Sequence, residues 1–115
     1  MSVKIERLES SFVKEISYIL MEEVKDENIK FVTITGCDIT NDLSFAKVYF
    51  TVLESSKKDE ILKSLNHAKS FIRGELSKRV EIRHTPELTF VFDESIEYGN
   101  RIEKVIEKIK TEEES

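Results

Sequence analysis

Six basic residues lie between Lys63 and His84: Lys63, Lys69, Arg73, Lys78, Arg79 and Arg83. They meet only two acids in that stretch, Glu75 and Glu81, a local balance of +4. The 115-residue chain has a formal net charge of -5, so the remainder carries -9, concentrated in the C-terminal third and the tail TEEES. The chemistry open to such a band is neutralisation of phosphate, because Lys and Arg release the counterions condensed on a polyanion. The net charge taken alone would repel one at long range. The asymmetry therefore points to a charged face rather than a whole-molecule property, with a charge fluctuation of no consequence as the alternative.

Other chemistries find little to work with. His67, His84 and Cys37 show none of the close spacing expected of a metal site. Asp38 and Asp42 flank a hairpin turn, where aspartate has a sufficient local role. The only glycines are Gly36, Gly74 and Gly99, so neither a Walker sequence nor GxGxxG is possible. Cys37, in a predicted strand beside no obvious base, reads as a buried thiol. No enzyme activity, metal, cofactor or small-molecule substrate is expected. A single cysteine, the lack of an apolar leader in MSVKIERLES and the lack of any run of about 18 apolar residues point to a cytoplasmic protein without membrane association. Nothing demands an oligomer, and a monomer is expected.

The elements that must position the basic band follow from periodicity. At this length, with 39% hydrophobic and 36% charged residues, one compact domain is expected. Ile5, Leu8, Phe12, Ile16, Leu20 and Val24 recur at helical spacing, and the polar stretch KDENIK ends that helix. From Phe31 the spacing changes to two. Val32 and Ile34 alternate with threonines, and the phase then slips across Gly36 to Cys37 and Ile39, predicting a β-bulge. After a turn at Asn41-Asp42, the inward residues Ala46, Val48, Phe50 and Val52 predict a second strand paired with the first as a hairpin. Ser56 and Asp59 suggest a capping arrangement for a helix starting near Lys57, whose apolar side is Ile61, Leu62, Leu65, Ala68, Ile72 and Leu76. Pro86 blocks helix beyond that point, and Leu88, Phe90 and Phe92 alternate as a third strand. A last amphipathic helix is written by Ile96, Ile102, Val105, Ile106 and Ile109, before an acidic tail at 111–115. The expected fold is α+β, with helices covering one face of a three-stranded sheet.

Placed at about 100° per residue, most apolar positions of the long helix share one stripe, but Phe71 falls about 100° from its centre and Lys69 on its flank. A kink at Ala68-Lys69-Ser70 would correct both, so two helical pieces meeting at Ser70 are expected. The opposite face gathers Lys63, Asn66, His67, Ser70, Arg73, Gly74, Ser77 and Lys78 without a carboxylate. Small residues with flanking cations suit a sugar-phosphate chain. They equally suit packing against a neighbouring protein element beside a solvated charged face.

Five collinear segments carry a family resemblance: EVKD at 23–26, FVTIT at 31–35, DLSFAKVYF at 42–50, RHTPELTFVFD at 83–93 and DESIEYGNRI at 93–102. In these, and in its order of elements, the chain resembles the bacterial ribosome-binding factor A family, whose fold is a type II KH-like domain, here expected over residues 1–110. The resemblance implies a non-catalytic assembly factor for the small (30S) ribosomal subunit. Such a factor contacts 16S rRNA near the decoding region during late maturation, supports processing of the rRNA ends, leaves the mature subunit and matters for growth in the cold. KH domains clamp nucleic-acid backbone with a GxxG loop, which this family replaces with an Ala-x-Gly kink. The matching triplet is Ala68-Lys69-Ser70, with serine in place of the glycine. The expected RNA-binding residues are Lys63, His67, Lys69, Ser70, Arg73, Gly74, Lys78, Arg79 and Arg83. Asp93 and Ser95 are expected to cap the last helix, and Arg101 either contacts RNA or pairs with Glu97. The other reading is a small protein-interaction module that docks on a ribosomal protein through its acidic C-terminal helix.

Overall fold

A computed structural model describes residues 2–95. Helix α1, Ser2–Tyr18, begins the chain and passes into a wider π turn over Ile19–Glu23, where the Val24 amide donates to the Ile19 carbonyl. That turn inserts one residue into the helical phase. Phe12, Ile16, Ile19 and Leu20 are all buried at the i, i+4, i+7 and i+8 spacing of one helical face, and Ile19 joins the stripe read from the sequence. The stretch KDENIK contains a single 3-10 turn, Glu27–Ile29, started by Asp26, whose side chain accepts from the Asn28 amide at 3.0 Å. This turn buries Ile29.

Strands β1 (Val32–Ile39) and β2 (Phe45–Val52) pair antiparallel as the expected hairpin, and the register shifts between Ile34 and Gly36. The bulge lies where the apolar phase slips. A Cβ on Gly36 would meet only Tyr49 Cδ2, at 3.9 Å. The need to bury both Ile34 and Cys37 therefore sets the bulge, rather than any steric demand for glycine. In the turn, Leu43 takes a left-handed φ of 61°. The Thr40 hydroxyl accepts from the Ser44 and Phe45 amides and donates to Asp42, whose carboxylate also accepts from the Ser44 amide. Those bonds hold the Asp42 carboxyl below its ordinary value, the Thr40 hydroxyl first among the causes. Aspartate at this turn thus has the local role expected of it.

Helix α2 runs from Lys58 to Arg79, preceded by a 3-10 turn at Ser55–Lys57. The capping arrangement at Ser56 and Asp59 is not formed: the N-cap is Lys57, whose side chain makes no capping bond, and Asp59 and Glu60 instead place acid in the first helical turn. That position favours negative charge at the positive end of the helix dipole. Strand β3, Glu87–Phe92, then pairs with β2 in parallel, from Phe45 opposite Glu87 to Phe50 opposite Phe92. The strand order is β1-β2-β3. Ile34, Cys37, Ile39, Ala46, Val48, Phe50, Leu88 and Phe90 turn one sheet face toward both helices, where Ile61, Leu65, Ile72 and Leu76 meet them. The rings of Phe50 and Phe92 meet edge to face, with centroids 5.7 Å apart.

The expected division of the helix into two pieces at Ser70 is not seen as a break in its hydrogen-bonded structure. Helical structure continues through Ala68, Lys69 and Ser70 without a break, a single element of 22 residues. The phase conflict is resolved by exposure instead of division: Phe71 is left 47% exposed and Lys69 half-buried. Asp93 accepts from the Ser95 amide at 3.1 Å, the geometry of an N-cap. The expected last helix from Ile96, the choice at Arg101 and the tail at 111–115 lie outside the described residues.

Candidate nucleic-acid interface

The basic band divides into two kinds of side chain. Arg73 is committed to the fold. Its Nε donates to the carbonyls of Thr85 at 3.2 Å and Pro86 at 3.1 Å, and its Nη2 donates to Thr85. These carbonyls have no strand partner, because the chain is turning into β3. A planar guanidinium satisfies two of them at once and ties the 80–86 segment to the helix. Arg79 is committed as well. It sits between Glu23 at 3.2 Å and Glu15 at 3.7 Å, with its guanidinium carbon 4.7 Å from the centre of the Tyr18 ring. It therefore pins the end of α2 to α1, and its charge is already answered.

The remaining cations face solvent. Lys63, His67 and Arg83 are exposed and Lys69 is half-buried, and among the described residues none of them has an acidic partner. Lys78 meets Glu75 at 3.4 Å, but its side chain is 72% exposed, so the pair is weak and readily exchanged. Ser70 and Gly74 are exposed between these cations. Among the described residues nothing lies within 4 Å of a Cβ placed on Gly74, so no neighbouring protein element uses that gap. The acid-free face is open at Gly74 among the described residues.

Beside this face lies a cleft of about 420 Å³ lined by Ser44, Phe45, Lys69, Ser70, Arg73, His84 and Glu87. Three segments far apart in sequence converge there: the middle of α2, the hairpin end that starts β2, and the approach to β3. The parallel register sets Phe45 beside Glu87, and the Arg73 clamp sets the segment carrying His84 beside Lys69. Ser44, Phe45, His84 and Glu87 are missing from the sequence reading of the site. One local signal was available, since Phe45 is a large aromatic on the polar phase of its strand and is 54% exposed. Its neighbours come from a non-local pairing that periodicity does not encode.

A second cleft, of about 410 Å³, lies between α1 and the bulge of β1, lined by Glu6, Glu9, Ser10, Val13, Thr35, Gly36 and Cys37. Glu9 accepts from the amide of Ile39 on the free edge of β1 at 2.8 Å, which covers one unpaired donor of an edge strand. Burial and the charges of Glu9 and Asp38 push the Cys37 thiol up to about 12. An un-ionised buried thiol is neither nucleophile nor metal ligand. Among the described residues there is no group of three or more acids, histidines or cysteines able to hold a metal, and no helix long and apolar enough to cross a membrane.

Fold and surface together define a small α+β binding domain with a cationic helix face and a mixed cleft at its edge. The family model for ribosome-binding factor A matches residues 4–106, and the chain belongs to that family, one of ribosome-binding factors rather than enzymes. It is 48% identical over 108 residues to the ribosome-binding factor A of Staphylococcus carnosus, covering 93% of this chain and 94% of that protein. It is similar in fold to the crystal structure of ribosome-binding factor A from Thermus thermophilus, with a TM-score of 0.69 and 21% identity over 76% of this chain and 93% of the other. A homology model of the Thermus thermophilus factor, fitted into a cryo-EM map of its complex with 30S, gives a TM-score of 0.62 at 22% identity, covering 75% of this chain and 91% of that one.

Proposed function

We propose that this chain binds the small ribosomal subunit as an assembly factor and contacts 16S rRNA through the open face of α2. Lys63, Lys69, Lys78 and Arg83 supply the phosphate contacts, with His67, Ser70 and Gly74 between them. The observation that carries the reading is the acid-free helix face, whose cations have no strong partner among the described residues, on a chain of this family. Arg73 and Arg79 support the surface from within: one fixes the segment that carries Arg83, the other anchors the end of the helix. The finer role, binding late precursors, supporting processing of 16S rRNA ends and sustaining growth in the cold, follows from the family resemblance and belongs to the same proposal.

The test is sedimentation of tagged full-length protein against precursor and mature small subunits. Association with precursors, lost when Lys63, Lys69 and Arg83 are changed to glutamate at unchanged melting temperature, is the expected result. Undiminished co-sedimentation of the charge-reversed protein would assign subunit association to protein contacts instead.

A further inference from the structure

The cleft beside α2 has two chemically distinct walls. Lys69, Ser70 and His84 supply cationic and hydroxyl groups on one side, while the first residues of the two parallel strands supply an exposed ring, Phe45, and a carboxylate, Glu87. A phosphate is favoured by the first wall and repelled by the second. A purely apolar ligand would leave Lys69 and Glu87 desolvated without partners. A ligand matching both walls must have an anionic end and, at the other, a flat aromatic end carrying a hydrogen-bond donor. An unpaired nucleotide is such a ligand, and a cleft of about 420 Å³ is within the size range of small-ligand sites.

We propose that this cleft seats one unpaired nucleotide of single-stranded RNA, its base stacked on Phe45, its exocyclic amine donating to Glu87 and its phosphate toward Lys69 and Ser70. The proposal rests on the RNA-binding reading of α2 and adds base readout to a surface that otherwise tracks backbone. Stacking accepts any base, since each has a π-face. The carboxylate adds a preference, because adenine, guanine and cytosine carry an amine and uracil does not. Arg73 shapes the cleft by tying Thr85 and Pro86 to the helix through its Nε and Nη2.

The experiment measures affinity of the full chain, at low salt, for a short oligoadenylate, an oligouridylate and a matching abasic sugar-phosphate strand. Wild-type protein should bind oligoadenylate at least about tenfold more tightly than the abasic strand. Phe45→Ala should erase that difference, Phe45→Trp should keep it, and Glu87→Gln should shrink the adenylate-over-uridylate ratio. A Phe45→Ala protein that keeps the base preference overturns the proposal. A second measurement needs no variant: an oligonucleotide carrying 2-aminopurine should lose fluorescence on binding wild-type protein, and unchanged fluorescence in a formed complex also overturns it. Equal binding of base-bearing and abasic strands removes the nucleotide seat and leaves the RNA-binding reading standing. Failure to bind any strand removes both.

Discussion

Two clefts of nearly equal volume, about 420 and 410 Å³, open at different places on this domain, and their charges are opposite. The one beside α2 is bordered by Lys69, Arg73 and His84 against a single acid, Glu87. The one between α1 and β1 is bordered by Glu6 and Glu9 with no base among the described residues. Size therefore does not separate them. What separates them is how the fold has spent its ionisable groups. Glu9 is used to cover the edge of β1, as Arg73 is used to cover the carbonyls before β3. Lys63, Lys69 and Arg83 are unspent among the described residues. A strongly acidic chain can thus present one surface to a polyanion, provided its acids are gathered elsewhere.

Substitutions at the two sites should separate them, starting with the largest effect. Changing Lys63, Lys69 and Arg83 to glutamate should lower affinity for single-stranded RNA on the order of 100-fold at low salt. Melting should hardly move, because none of the three is paired among the described residues. Arg73→Ala should act in the opposite sense, on folding: losing charged hydrogen bonds to two carbonyls costs about 2 kcal/mol, roughly 10 °C in melting temperature for a domain of this size. Glu9→Ala should cost about 1 kcal/mol through the bared Ile39 amide and leave RNA affinity no weaker, with Glu9→Gln largely restoring stability. Gly74→Ala should stabilise the helix by about 0.5–1 kcal/mol. If RNA backbone approaches there, the same change weakens RNA binding, a split between stability and affinity that calorimetry and titration read separately.

The last effect is a pH dependence on the acidic side. The Cys37 thiol is pushed from 9.0 to about 12 in the folded protein. A raised folded value means that the un-ionised thiol contributes stability fully present below the unfolded pKa and lost as pH rises toward the folded one. Wild-type stability should therefore fall more steeply than that of Cys37→Ala between pH 9 and 12. Chemical denaturation across that range, with the two proteins side by side, measures the difference.

Much of the scaffold was legible because its signals are local. The phase slip at Gly36 located the bulge, the alternation from Ala46 to Val52 located β2, and Pro86 barred helix from the approach to β3, α2 having ended at Arg79. The face of α2 was legible in the same way, as a stripe without carboxylates. Three features were not, each for a physical reason. The π turn at Ile19–Glu23 was not legible because a fixed 3.6-residue period cannot represent a wider turn. The fate of Phe71 depended on whether the helix would bend or expose a ring, and α2 runs on unbroken. Above all, charge was legible but commitment was not. Arg73 and Arg79 look like Lys63 and Arg83 in the sequence, and only tertiary contacts, 12 or more residues away for Arg73 and 56 for Arg79 to Glu23, show that the fold already uses them. The cleft at Phe45 depended on the same kind of non-local pairing.

The central claim is that the unspent cations of α2 and the segment before β3 contact phosphate. Titration of a single-stranded fragment of small-subunit rRNA at several salt concentrations tests it most directly. Wild-type affinity should fall log-linearly with salt, and the Lys63, Lys69 and Arg83 reversal should flatten that slope by about 2 or more, near 0.7 for each lost contact. A slope unchanged by the triple substitution, in a protein that melts normally, would contradict the account.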